Sequence, residues 1–142
     1  MRPVLLSALL FCLVLFSSGH VRSDPGSQAA SRQILVCYFH RTVRCPTCQR
    51  IGELVERSVS TRLAREVAAG QVKVVMVDFQ APANAQHAAA YKVTGPTLIV
   101  MQVQDGKVVQ ANPAPRIWAL FRDDAKFADY VETQIRDLLD KK

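Results

Sequence analysis

Hydrophobic positions follow different rhythms along this chain. Ile34 to His40 (ILVCYFH) is a short, unbroken apolar and aromatic run, the pattern of a strand buried on both faces. Beyond it the apolar positions spread to intervals of three and four. Ile51, Leu54, Val55, Val59, Leu63 and Val67 predict one long helix with Gly70 as its stop. Val72 to Phe79 (VKVVMVDF) is a second run of buried-strand type. Strand, helix and strand without a tight turn imply a parallel pair joined by a right-handed crossover. The alanine-rich stretch from Asn84 to Lys92 predicts a short helix. Thr97–Val103 and Lys107–Ala111 flank Asp105-Gly106, a hairpin signal. Asp123 is placed to cap a last helix, on which Phe127, Tyr130, Val131, Ile135, Leu138 and Leu139 share one face. The predicted order is β-α-β-α-β-β-α, an α/β fold with no internal repeat.

The chain has 142 residues, 49% of them hydrophobic, enough for one domain with a real core. Before that domain, Val4 to Phe16 is an apolar run of thirteen residues, preceded by Arg2 and followed by small and polar residues. It is shorter than the ~20 residues a membrane span needs. The pattern is that of a cleavable secretory signal, with cleavage between Gly19 and Ser23 and an uncleaved membrane anchor as the alternative. Residues 1–23 are thus expected to be a signal, 24–33 a flexible leader and 34–142 the folded domain, in a periplasmic or otherwise secreted protein. Cys12 and Arg2 and Arg22 leave with the signal, and the remainder carries sixteen basic against twelve acidic residues. The arginines are scattered and lack interleaved aromatics, so nucleic-acid binding has no support.

Cys37, Cys45 and Cys48 stay in the mature chain. The pair in RCPTC, Arg44 to Cys48, stands just past the first strand and at the start of the long helix. If the helix begins there, Pro46 takes the first helical position, where its missing N–H costs nothing, and Cys48 lies one turn on, within disulfide reach. Free N–H groups and partial positive charge at the helix start favour the Cys45 thiolate. Arg44, Arg41, His40 and Arg50 are candidates to add to that field. Free cysteine has a pKa of about 8.5, whereas such pairs at helix starts fall between roughly 3.5 and 7.5. Cys45 is therefore the expected nucleophile and Cys48 the resolving thiol. Two other readings compete. A static staple closing so short a loop adds little stability. A metal centre, zinc or copper, would have only His40 and His87 to join the two cysteines.

With Cys-x-x-Cys after the first strand and VTGPT opening the third, the chain from Ile34 to Lys142 resembles the thioredoxin-like superfamily. It lacks the extra N-terminal strand and helix of thioredoxin, so the resemblance implies the minimal fold, a four-stranded mixed sheet in the order 2-1-3-4 flanked by helices. YFHRTVRCPTC and PRIWALFRDDAKFADYVE carry a narrower similarity to the ArsF-type thioredoxin-like family, nitrophenyl compound nitroreductase subunits. Only the fold and the dithiol are carried over from it.

The resemblance implies a cis peptide bond before Pro96, facing the dithiol, with Gly95 offering its backbone to an extended partner segment. Gly95 replaces the larger residue usual there, leaving a more open platform. Cys37 falls near the position of a buried aspartate that aids proton transfer in thioredoxin, and no carboxylate replaces it. Cys37 itself reads as a small core residue, with a third redox thiol as the rival. His40 reads equally as a hydrogen-bonded shoulder residue or a tuner of Cys45, and Trp118 as a core or lid residue.

Together these features point to an exported thiol–disulfide oxidoreductase with no organic cofactor, the dithiol itself storing the electrons. It is expected to be a monomer that meets protein substrates and a redox partner, and to touch a membrane only if its signal stays uncleaved. A copper-binding or copper-delivery module and a redox-inert adaptor are the alternatives.

Overall fold

A computed structural model describes residues 32–141. The signal and most of the leader expected over residues 1–33 lie outside the described residues. The end of that leader does not: Arg32 and Gln33 open the first strand, β1 (Arg32–His40). The strand is extended at this end by pairing with β3, where Arg32 sits opposite Gln104 and Gln33 opposite Val103.

After β1 come α1 (Pro46–Arg62), α2 (Ala64–Ala68) and β2 (Val72–Asp78). A 3-10 turn (Pro82–Asn84) then leads into α3 (Ala85–Ala90). The chain closes with β3 (Thr97–Gln104), β4 (Lys107–Pro113), α4 (Ile117–Leu120) and α5 (Asp124–Leu139). The four strands form one mixed sheet in the order β2-β1-β3-β4, with β1 and β2 parallel and the other pairs antiparallel. This is the four-stranded mixed sheet in the order 2-1-3-4, flanked by helices, that the resemblance implied, with two further short helices, α2 and α4.

Two elements differ from the sequence pattern. The single helix predicted through Val67 ends at Arg62, because Leu63 leaves helical angles (φ −126°, ψ 31°) to bury its side chain completely. Ser60 and Thr61 prepare that break by donating their hydroxyls to the Arg57 carbonyl. Val67, past the break, is consequently exposed. The second strand lies at the edge of the sheet, as the order 2-1-3-4 requires, and is less buried than its apolar run suggested. Only Val72 of β2 is buried and Lys73 is exposed, while Val74 to Asp78 are half-buried. A continuous apolar run cannot distinguish an edge from a centre, since the difference lies in which strand pairs on its other side.

The core has two parts. On one face of the sheet, Ile34, Val36, Tyr38, Leu98 and Val100 pack with Ile51, Leu54, Val55 and Val59 of α1 and Phe127, Val131, Ile135 and Leu138 of α5. On the other face, Cys37, Phe39, Ile99 and Met101 are covered by Phe79, Tyr91 and Val93 around α3. The alternation along β1 therefore decides which side chains can meet α1: Tyr38 can, and Cys37 cannot. Asp105 and Gly106 turn the β3–β4 hairpin with φ of 51° and 76°, the pair of positive values that an Asp-Gly turn supplies.

Candidate active site

The first turn of α1 builds the site. Cys45 is the N-cap, extended at φ −72° and ψ 161°, with Pro46 following at the first helical position. Its sulfur accepts the backbone N–H of Cys48 at 3.4 Å, and the first turn carries no acidic side chain to oppose the helix dipole. Cys45 is exposed and Cys48 is buried behind it, with the two Sγ atoms 2.9 Å apart in hydrogen-bond contact.

This geometry separates the two thiols chemically. The Cys45 thiol is held below its ordinary value, first by the side-chain hydrogen bond from Cys48 and then by the Cys48 and Thr47 backbone N–H groups. The Cys48 thiol is pushed up by burial and by the neighbouring Cys45 sulfur. An exposed sulfur with a lowered pKa stands in front of a buried one with a raised pKa. Cys45, expected as the nucleophile, is the exposed sulfur at the helix start, and Cys48, expected as the resolver, is the buried one behind it.

The predicted arginine field is corrected by the structure. Arg50 is committed to Asp124 of α5, which also takes Arg57. Arg44 turns inward, its guanidinium carbon 6.0 Å from the centre of the Tyr38 ring. A Cβ on Gly52 would lie 2.5 Å from Arg44 Nη2, so the glycine in the middle of α1 makes room for that guanidinium. Arg44 Nε is buried with no hydrogen-bond acceptor among the described residues, which leaves ring stacking to hold it. Arg41 is exposed, and His40 donates Nδ1–H to the Arg41 carbonyl at 2.9 Å. Thr42 in turn is anchored to the end of β2 by its hydroxyl to Asp78, 2.8 Å, and its N–H to Gln80, 3.1 Å. The loop is thereby fixed, and the lowering of the Cys45 pKa comes from Cys48 and the helix start.

The bond before Pro96 is trans, since no cis peptide occurs among the described residues. The expected cis bond came from the resemblance alone. Trans is favoured by about 0.5–1 kcal/mol for any X–Pro bond, and a bend at Gly95-Pro96 delivers the chain into β3 without it. Pro96 and Gly95 nonetheless stand at the same end of the sheet as the dithiol, because Thr97 pairs with Phe39. Gly95 has open space where a side chain would be. A cavity of about 330 Å³ lies beside it, lined by Tyr91, Val93, Thr94, Pro96 and Pro113 among others. Trp118, on α4, donates its indole N–H to the Pro96 carbonyl at 3.3 Å and is 38% exposed, which makes it a rim residue. The α4 turn itself was not predicted; its four residues are too few to show a period.

Cys37 faces away from the dithiol, buried with its sulfur 3.9 Å from Met101 Sδ. Burial pushes its thiol up to about 11, which suits an inert core residue. The side chain that β1 does aim at the site is Tyr38, whose hydroxyl donates to the Cys48 carbonyl at 3.2 Å. Cys37, expected as a small core residue, is one, and strand alternation puts its neighbour Tyr38 on the face that meets α1. Among the described residues no three His, Cys, Asp or Glu side chains gather as a metal would need.

No protein-family model and no curated protein sequence matches the chain. Among solved structures it is similar to the oxidized mitochondrial thioredoxin 3 of Saccharomyces cerevisiae, at 19% identity over 75% of this chain and 79% of that one, with a TM-score of 0.46. Fasciola hepatica thioredoxin is similar at 25% identity over 75% and 81% of the two chains, TM-score 0.44. The germline-specific thioredoxin Deadhead of Drosophila melanogaster is similar at 18% identity over 66% and 80%, TM-score 0.40.

Proposed function

We propose that the chain is a thiol–disulfide oxidoreductase that exchanges electrons with protein dithiols and disulfides through Cys45 and Cys48. The observation that carries this reading is the asymmetry of the pair: an exposed Cys45 sulfur held at a helix start, with the buried Cys48 sulfur 2.9 Å behind it. In the oxidising sense for the dithiol, the Cys45 thiolate attacks a partner disulfide and forms a mixed disulfide, releasing one partner sulfur. Cys48 then attacks the Cys45 sulfur, closes the internal disulfide and releases the second partner thiol. The reverse sequence oxidises a partner dithiol.

The dithiol carries the electrons, so the reading needs a second protein to reset it and no organic cofactor. It includes export, supported by the charged start and thirteen-residue apolar run of the N-terminal sequence. N-terminal sequencing of protein recovered from an exporting host should find a start between residues 20 and 24.

The test is mixed-disulfide trapping. With Cys48→Ala, a Cys45-linked adduct with a peptide disulfide should accumulate, and with Cys45→Ser none should form. Stoichiometric copper or zinc in protein purified without chelator, lost on Cys45→Ser, would overturn the reading in favour of a metal carrier.

A further inference from the structure

Tyr38 is buried completely on the strand beneath α1, yet it carries a hydroxyl. A buried hydroxyl without a role would be replaced at no cost by phenylalanine in an apolar cluster. Here the hydroxyl meets the resolving cysteine, donating to the Cys48 carbonyl at 3.2 Å, while the face of its ring receives the Arg44 guanidinium. Gly52 keeps the space that this guanidinium fills. Three positions in different elements are thus spent on presenting one phenol to Cys48.

We propose that Tyr38 activates Cys48 for the resolving step, its hydroxyl turning its one proton from the Cys48 carbonyl, where it rests, to the Cys48 sulfur as that sulfur becomes a thiolate. This rests on the dithiol reading above and adds the residue that serves its second half. Burial of Cys48 opposes ionisation, and the Tyr38 hydroxyl is the side chain outside the dithiol that offsets it. Burial keeps the Tyr38 phenol protonated and so able to donate, with the Arg44 cation beside its ring acting in the opposite, smaller sense. The charged and titratable groups facing this pair are Cys45 from the helix start, Arg44 from the preceding loop and His40 at the end of β1, its ring 6.5 Å from that of Tyr38.

The step balances as follows. In the dithiol, Cys48 holds the proton and Cys45 the charge. When Cys45 attacks the partner disulfide, the first partner sulfur leaves as a thiolate and takes the Cys48 proton. Cys48, now a thiolate hydrogen-bonded to Tyr38, attacks the Cys45 sulfur. The Cys45–partner bond breaks, the Cys45–Cys48 bond forms, and the second partner sulfur leaves with the electron pair. The partner disulfide is the oxidant throughout.

Dithiobis-nitrobenzoate separates the two halves, because each releases one coloured thiolate. In Tyr38→Phe the first release should keep its rate. The second should slow about tenfold, as expected for losing one hydrogen bond to a charged sulfur, and its pH midpoint should rise. A second release unchanged in rate and midpoint, or both releases slowed alike, would overturn the proposal. Should Tyr38→Phe fail to fold, fluorotyrosine incorporated throughout keeps the shape and makes the hydroxyl more acidic; the second release should then speed up and its midpoint fall, and an unmoved midpoint would overturn the proposal. A wild-type protein that never makes the second release would refute the dithiol reading itself.

Discussion

Cys45 is acidified by groups within one helical turn of itself. Removing the nearest of them, by Cys48→Ala, should raise the thiolate titration of Cys45 toward that of free cysteine, as followed by thiolate absorbance. Arg50→Gln should leave that titration in place, since Arg50 is paired with Asp124. Cys37 is the opposite case. With its thiol raised to about 11, it is ionised to roughly one part in ten thousand at pH 7. In native protein iodoacetamide should label Cys45 and spare Cys37, and labelling of Cys37 at a comparable rate would restore it as a redox thiol. The two cysteines and their order at the helix start were legible in the sequence. The contact of Tyr38 with Cys48 was not, because which strand residue points at α1 depends on the phase of β1, and ILVCYFH is apolar on both faces.

Helix α1 trades intrinsic stability for the site. Gly52→Ala would improve helix propensity by about 0.5–1 kcal/mol. It would also push the Arg44 guanidinium off the Tyr38 ring and forfeit a stacking interaction worth about 0.5–1 kcal/mol. These nearly cancel, so urea unfolding of Gly52→Ala should give a stability within about 0.5 kcal/mol of wild type; a loss of several would mean that Arg44 has nowhere else to go. At the start of α5, Asp123 accepts the Lys126 N–H at 3.1 Å, and Asp123→Ala should cost about 1 kcal/mol by the same measurement. The α5 cap and the hairpin turn were read correctly because each depends on a residue and its immediate neighbours, and Gly70, at φ 71°, stops the short α2 and not the long α1. The break at Leu63 and the partial burial of β2 depend on what packs beside them, and the trans bond at Pro96 on local geometry that a family resemblance does not fix.

Over the whole molecule, burial of ionisable groups sets the alkaline limit. Cys37 is raised in the fold from 9.0 to about 11, so the stability linked to its neutral thiol is full below pH 9 and is lost as pH rises toward 11. The loss is about 2 kcal/mol after allowance for partial burial, and Tyr38, raised further by burial, adds to it at higher pH. Urea unfolding across that range should show the decline, and Cys37→Ala should flatten its lower part. Redox poise follows from the same electrostatics with the opposite sign. Stabilising the Cys45 thiolate stabilises the reduced dithiol and makes the disulfide a better oxidant, by about 30 mV for each 1.4 kcal/mol. The direct test is to equilibrate the protein in a glutathione series and read the Cys45–Cys48 state by mass. A single two-electron transition at a potential less negative than thioredoxin's value of about −270 mV is expected; a more negative potential, or no two-electron transition at all, would contradict an exchange centre of this kind.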